Sequence, residues 1–272
     1  MPGHAPDALL EETLASLRGL LGPDLDRLRV ERAVVGIVCS GVLLSDGSGG
    51  TAGTPRPEDC CAAFDRRQPP PGAIVGLPVR KLFDPWPEEP YAHSLAVASL
   101  CALSAQWLNA DRYRAVFDCD ALDLVEFKAG MKVVLVGAFH SYIERIKAVA
   151  GLDLKVLELR PDALREEDMP FFVPAERAAE VLSAADAVIM TGLTVANGTV
   201  EGLLRLARPG AFNVVVGPTG SILPDALFRR GAKMASGCVL TDPGAALDLL
   251  SQGASARHLY GRCARKVNLL PR

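Results

Sequence analysis

The sequence lacks most short signatures that would assign it a function. It has no Cys-x-x-Cys, no His-x-x-x-His and no cysteine and histidine group at zinc-finger spacing, which excludes an ordinary structural zinc site. The three-glycine G-x-G-x-x-G loop, the phosphate loop ending in Gly-Lys-Ser/Thr and the Gly-x-Ser-x-Gly elbow are also missing. Lysine is scarce, with seven residues of which Lys81 is the first. Acidic and basic residues nearly cancel at 32 against 29, a net charge of −3, which argues against a chain whose main task is to neutralise nucleic-acid phosphates. The longest apolar run, Leu95 to Ala105, contains Ser99 and Ser104 and is too short to cross a bilayer. Met1 to Leu20 carries Asp7, Glu11 and Glu12 and no basic region ahead of an apolar core, so no secretory signal is expected. The seven cysteines are Cys39, Cys60, Cys61, Cys101, Cys119, Cys238 and Cys263. Their odd number and irregular spacing fit a reducing, cytoplasmic compartment.

What is present is enough apolar material, 49% of 272 residues, for one large or two small folded domains. From about Met131 onward, β-branched runs alternate with helical patterns. Lys132–Val136, Leu154–Leu159, Ala187–Met190, Phe212–Val216 and Lys233–Leu240 read as buried strands. Helical stretches separate them, and Asp242-Pro243 opens the last as a cap followed by proline. Such alternation predicts a parallel sheet with helices on both faces. The first half differs. Ala8 to Leu21 is an amphipathic helix, Arg29 to Val38 and Gly41 to Ser45 are strand-like, and Asp46 to Gly50 reads as a turn. Pro55 to Pro90 is dense in proline and irregular, and Ser94 to Leu108 is an apolar helix rich in small residues. The fold class expected is therefore α/β. A smaller α+β domain spans residues 1–120, and a Rossmann-like parallel sheet occupies residues 121–272.

Ligands of open parallel sheets bind where strands end and helix amides point outward. The candidates there are Gly137, Phe139 and His140 after the first strand, and Glu158 and Arg160 after the second. Thr191, Asn197 and Thr199 follow the third, and Gly217, Pro218 and Thr219 the fourth. Each also has a purely structural reading: Gly137 as a tight turn, Asn197 or Thr199 as helix caps, His140 as a first-turn residue. Glu158 stands about 20 residues beyond the first loop, where dinucleotide folds place a ribose-binding acid. Elsewhere, Cys60 and Cys61 are vicinal thiols beside Glu58 and Asp59, able to take a soft ion or simply to be buried.

The series Val136-Gly137-Ala138-Phe139, Glu158-Leu159-Arg160-Pro161, Thr191-Gly192 through Asn197-Gly198-Thr199, and Gly217-Pro218-Thr219 resembles the putative heavy-metal chelation family, once a domain of unknown function. The resemblance covers about Met131 to Val267 in the right order. It implies a Rossmann-like C-terminal domain behind a smaller domain similar to the enolase N-terminal fold. It also implies a site in the cleft between the domains, formed by Gly137, Phe139, Glu158, Arg160, Thr191, Asn197, Thr199, Gly217, Pro218 and Thr219 with facing residues of the first half. Where the family has an Asn-Ala pair in the apolar helix, this chain has Cys101-Ala102.

Three functions are compatible with these residues. The first is binding of a divalent transition metal, or of a small metal-chelating compound, with His140 and Glu158 as candidate ligands. The second is an enzyme that binds a nucleotide-like cofactor, for which S-adenosylmethionine suits the single-glycine loop better than NAD. The third is an interaction protein docking through Pro69-Pro70-Pro71 and Pro85-Trp86-Pro87. The partners expected are a small molecule or ion, with self-association allowed, and neither nucleic acid nor a membrane.

Overall fold

Leucines at three- and four-residue steps make α1 (Ala8–Leu21) amphipathic, and Leu9, Leu10, Leu14 and Leu17 are buried. Gly22, at φ +54°, turns the chain out of this helix toward a short α2 (Asp24–Arg27). Three antiparallel strands follow in spatial order: β1 (Val30–Val34), β2 (Cys39–Leu44) and β3 (Gly49–Gly53). The computed structural model describes residues 8–55, 70, 72–84 and 86–272. Glu58, Asp59, Cys60, Cys61, Pro69, Pro71 and Pro85 lie outside the described residues.

Part of the glycine run expected to turn is strand. The reversal is tighter, with Asp46 Oδ1 accepting from the Ser48 amide and hydroxyl at 2.9 and 2.7 Å. Glycine continues into β3 because α3 (Pro90–Ser104) lies directly on it. A Cβ on Gly50 would stand 2.2 Å from the Ala98 carbonyl oxygen and 2.3 Å from the Ala102 amide nitrogen. The helix itself starts earlier than its apolar stretch. Glu89 caps it, its carboxylate accepting from the Tyr91 and Ala92 amides at 3.1 and 2.7 Å, and Pro90 fills the first turn. Every residue from Ser94 to Ser104 is buried.

The remaining elements, in chain order, are β4 (Arg114–Phe117), β5 (Lys132–Val136), α4 (His140–Lys147), β6 (Asp153–Glu158), β7 (Phe172–Pro174), α5 (Ala178–Ala184) and β8 (Ala187–Thr191). After these come α6 (Leu193–Ala196), α7 (Val200–Leu206), β9 (Phe212–Val216), α8 (Asp225–Arg229), β10 (Ala232–Leu240), α9 (Pro243–Ser251), α10 (Ala256–Leu259) and β11 (Ala264–Leu270). All eight strands form one sheet in the order β4-β11-β10-β9-β8-β5-β6-β7. Strands β5 to β10 run parallel, β11 returns antiparallel to β10, and β4 closes that edge antiparallel to β11. The fold is α/β, with a large, mostly parallel sheet and a small antiparallel one.

The strands β4, β7 and β11 carry weak apolar signals: two are only four and three residues long, and β11 contains Arg265, Lys266 and Asn268. In the central strands, successive side chains point to opposite faces. Val133, Leu135 and Val156 pack with Ile143 and Ile146 of α4. Val134, Val136 and Val188 instead join a core that also contains Leu9, Leu44 and Leu100. Apolar packing is thus continuous between the small sheet with α3 and the large sheet. Each fully buried Leu or Val contributes about 1.5–3 kcal/mol of transfer free energy.

The chain steps outward from β5 through β6 to β7, then returns to lay β8 on the other side of β5. That reversal is the topological switch point of a doubly wound sheet, where strand-end loops part and leave a crevice.

Candidate functional site at the strand ends

A cavity of about 380 Å³ opens at the carboxyl ends of β5, β6 and β8. Its volume lies within the range of small-molecule sites. Among the sequence candidates, Gly137, Phe139, Glu158, Thr191, Asn197 and Thr199 line it. The other walls are largely apolar, including Leu159, Ala175, Ala178, Leu193 and Leu203.

The first loop turns at Gly137, whose φ of +99° favours glycine, and a Cβ there would stand 3.1 Å from Thr191 Cγ2. The Gly137 amide donates to the Leu157 carbonyl at 3.0 Å, so the loop after β5 is tied to β6. Glu158 ties it again. Its Oε2 accepts from the Ala138 amide at 3.0 Å, and its Oε1 from the Leu159 and Arg160 amides at 2.8 and 3.2 Å. One half-buried carboxylate therefore joins two strand-end loops. Phe139 stacks on Tyr142 with ring centroids 5.4 Å apart, which orients its ring at the entrance to α4.

On the opposite side, Thr191 Oγ1 accepts from the Leu193 amide at 3.3 Å. Asn197 Oδ1 accepts from the Thr199 amide and hydroxyl at 3.2 and 2.7 Å. Asn197 thus holds its own loop through its oxygen, as a local side-chain turn. Thr199 precedes α7 without capping it through its side chain.

The remaining candidates lie elsewhere. Arg160 is exposed and pairs with Asp162. Gly217, Pro218 and Thr219 sit on the loop after β9, where the buried Thr219 hydroxyl oxygen accepts from the Gly53 amide of β3 at 2.9 Å. This loop fastens the large sheet to the small one. His140 begins α4 outside the pocket wall, and its buried Nδ1 has no hydrogen-bond partner. The pocket still borders the first half, because a Cβ on Gly53 would stand 2.4 Å from Leu193 Cδ2. The apolar walls are not among the sequence candidates. Their sequence signal is an apolar residue just beyond a strand end, Leu159 after β6 and Leu193 after β8, and the two remain 73% and 41% exposed.

The metal hypothesis makes a demand these residues do not meet. A protein site for a transition ion needs three or four converging donors. Among the described residues, no three His, Cys, Asp or Glu side chains come together to hold an ion. Glu158 already serves three amides, and His140 is not beside it in the wall. The buried cysteines among the described residues supply no alternative. Cys39, Cys238 and Cys263 share an apolar cluster with Leu250 and Leu259, and burial pushes the Cys39 thiol up to about 11. Burial likewise raises Cys101 and Cys238. Apolar surroundings disfavour the thiolate that a soft ion requires.

A family profile described as putative heavy-metal chelation matches residues 120–269, and a second profile of the same description matches residues 19–104. The chain belongs to the putative heavy-metal chelation family. An uncharacterised protein of Methanocaldococcus jannaschii is 25% identical over 180 residues, a match spanning 65% of this chain and 65% of that protein. Two solved structures share the fold, both of proteins of unknown function from the same family, DUF364. That of Pyrococcus horikoshii is 19% identical, with a TM-score of 0.76 over 96% of this chain and 99% of that one. That of Desulfitobacterium hafniense DCB-2 is 21% identical, with a TM-score of 0.70 over 98% and 100%. The family supports a general role in metal handling. Among the described residues, no helix is long and apolar enough to cross a membrane.

Proposed function

We propose that this chain handles metal indirectly, by binding a small organic metal-chelating compound in the strand-end pocket at the border of its two halves. One contrast carries the reading: the family is described by heavy-metal chelation, yet the pocket is a largely apolar chamber, and among the described residues no ion-binding cluster lines it. An organic chelator resolves it. Its body would be buried against Leu159, Ala178 and Leu203, while Glu158, Thr191 and Asn197 would orient its polar edge. Any ion would then arrive with its donors already supplied by the small molecule.

Calorimetric titration with zinc ion alone and with the zinc complex of 8-hydroxyquinoline tests this reading. Heat of binding is expected from the complex only, and Ala178→Trp, which fills the chamber, is expected to remove it. Tight binding of zinc alone, with the complex binding no better, contradicts it.

The second reading is a nucleotide-like cofactor such as S-adenosylmethionine. Its support is positional: Glu158 ends the second strand of a sheet whose parallel part has the dinucleotide-fold order, beside the switch point. Thermal-shift screening against nucleosides and S-adenosylmethionine separates the two. No stabilisation by any member of the panel removes the cofactor reading.

A further inference from the structure

In folds that bind phosphorylated cofactors, the amides just after the first strand cradle the anion. Here that position is occupied from within. The Ala138 amide donates to Glu158 Oε2 at 3.0 Å, and the Phe139 amide donates back to the Gly137 carbonyl at 3.0 Å. The next free turn is also partly satisfied, since the Tyr142 and Ile143 amides donate to the Phe139 carbonyl, each at 2.9 Å. Glu158 is the one charged residue among the described residues that line the pocket. No lysine, arginine or histidine among them lines the pocket beside it; Arg160 acts on Glu158 electrostatically from outside the wall, but its guanidinium is already paired with Asp162.

We infer that Glu158 makes this pocket selective by charge, admitting neutral or cationic, largely apolar compounds and rejecting phosphorylated or otherwise anionic ones. The inference rests on the reading of the strand-end chamber as a ligand site, and it adds the chemical class of the occupant. The carboxylate acts in two ways. It takes up the amide an incoming phosphate would use, and among largely apolar walls it repels a second negative charge. The groups left to meet a ligand fit the same class. The Asn197 side-chain nitrogen and the Thr191 hydroxyl can donate to a carbonyl or ring nitrogen, and Glu158 can accept from an amine or hydroxyl.

Two dyes with the same skeleton provide the test: N-phenyl-1-naphthylamine, which is neutral, and 8-anilinonaphthalene-1-sulfonate, which adds one negative charge. Both fluoresce on entering an apolar chamber, and signal that persists in Ala178→Trp is subtracted as binding elsewhere. The neutral dye is expected to bind the wild-type pocket more tightly than the sulfonate by on the order of tenfold or more, as like-charge repulsion of this kind costs. Glu158→Gln is expected to bring that ratio toward one. Equal or tighter binding of the sulfonate to the wild-type protein overturns the inference, and so does the absence of pocket-dependent signal from either dye. A ratio unchanged in Glu158→Gln removes Glu158 from the role. The wild-type comparison stands if the variant proves too unstable to measure. Charge preference without zinc–hydroxyquinoline binding would leave this inference and remove the metal-chelate reading, whereas chelate binding without charge preference would do the reverse.

Discussion

Asp120 shows how a single carboxylate couples distant segments. Burial by itself would raise its pKa, but Lys266 Nζ at 2.8 Å and the Leu122 amide at 3.1 Å outweigh that and hold the carboxyl below its ordinary 3.8. Arg145 adds a contact at 2.9 Å. A carboxyl depressed in the folded state stabilises the protein above its unfolded pKa, and that contribution is lost as pH falls through the folded value. Asp120→Asn is therefore expected to cost about 1 kcal/mol at neutral pH, since its cationic partners are partly exposed. The same substitution should flatten the acid side of the stability curve, which urea titrations from neutral to acidic pH would reveal. Thiol reactivity gives a second residue-level expectation. Cys119 is half-buried, whereas Cys39, Cys101, Cys238 and Cys263 are buried, with Cys39 pushed up to about 11. Iodoacetamide labelling near neutral pH, read by peptide mass spectrometry, should mark Cys119 well before those four; labelling of Cys39 at the same rate would contradict the burial described. At this scale the polar half of the pocket was legible, because Gly137, Glu158, Thr191 and Asn197 sit at recognisable strand ends. The use of Glu158 to satisfy backbone amides was not, because a carboxylate at that position reads equally well as a ligand for ribose.

Among the elements, β3 and α3 depend most on a side chain that is absent. Gly50→Ala would place a methyl group 2.2 Å from a backbone oxygen, and backbone cannot yield as a flexible side chain can. The substitution is expected to cost about 3 kcal/mol, the upper part of the range for overpacking, measured by chemical denaturation. A loss below about 0.5 kcal/mol, the scale of a neutral surface change, would mean that β3 and α3 are not in such close contact. The same contact explains why the strand escaped its sequence pattern: glycine is a poor strand former, and only a tertiary neighbour makes it necessary. The parallel strands show the opposite case. Lys132–Val136 and Phe212–Val216 are read correctly to the residue, because burial on both faces leaves a continuous apolar run. The cap at Asp242 is equally local, its Oδ1 accepting from the Ala245 amide at 2.9 Å. Strand β11 depends on its antiparallel partners β10 and β4, and no local signal replaces those neighbours.

At the scale of the whole molecule, the two textures of the sequence meet in a shared core, where Leu44 and Leu100 pack in one cluster with Val134 and Val215. The loop after β9 reinforces the junction through Thr219 and Gly53. Unfolding of the first half should expose the face of the large sheet, so one cooperative transition is expected. Tryptophan fluorescence reports on Trp86 and Trp107, both in the first half, while far-UV circular dichroism reports on both sheets. Coincident urea transitions by the two probes would support the shared core, and separated midpoints would contradict it. The most direct test of the central claim, that the strand-end chamber holds a small organic compound, is native mass spectrometry of the full chain as purified from cells. The expected result is an added mass matching one organic molecule, with or without its metal, which collisional activation releases and which is missing from Ala178→Trp. An adduct consisting of bare metal ion, retained by Ala178→Trp, would contradict the claim.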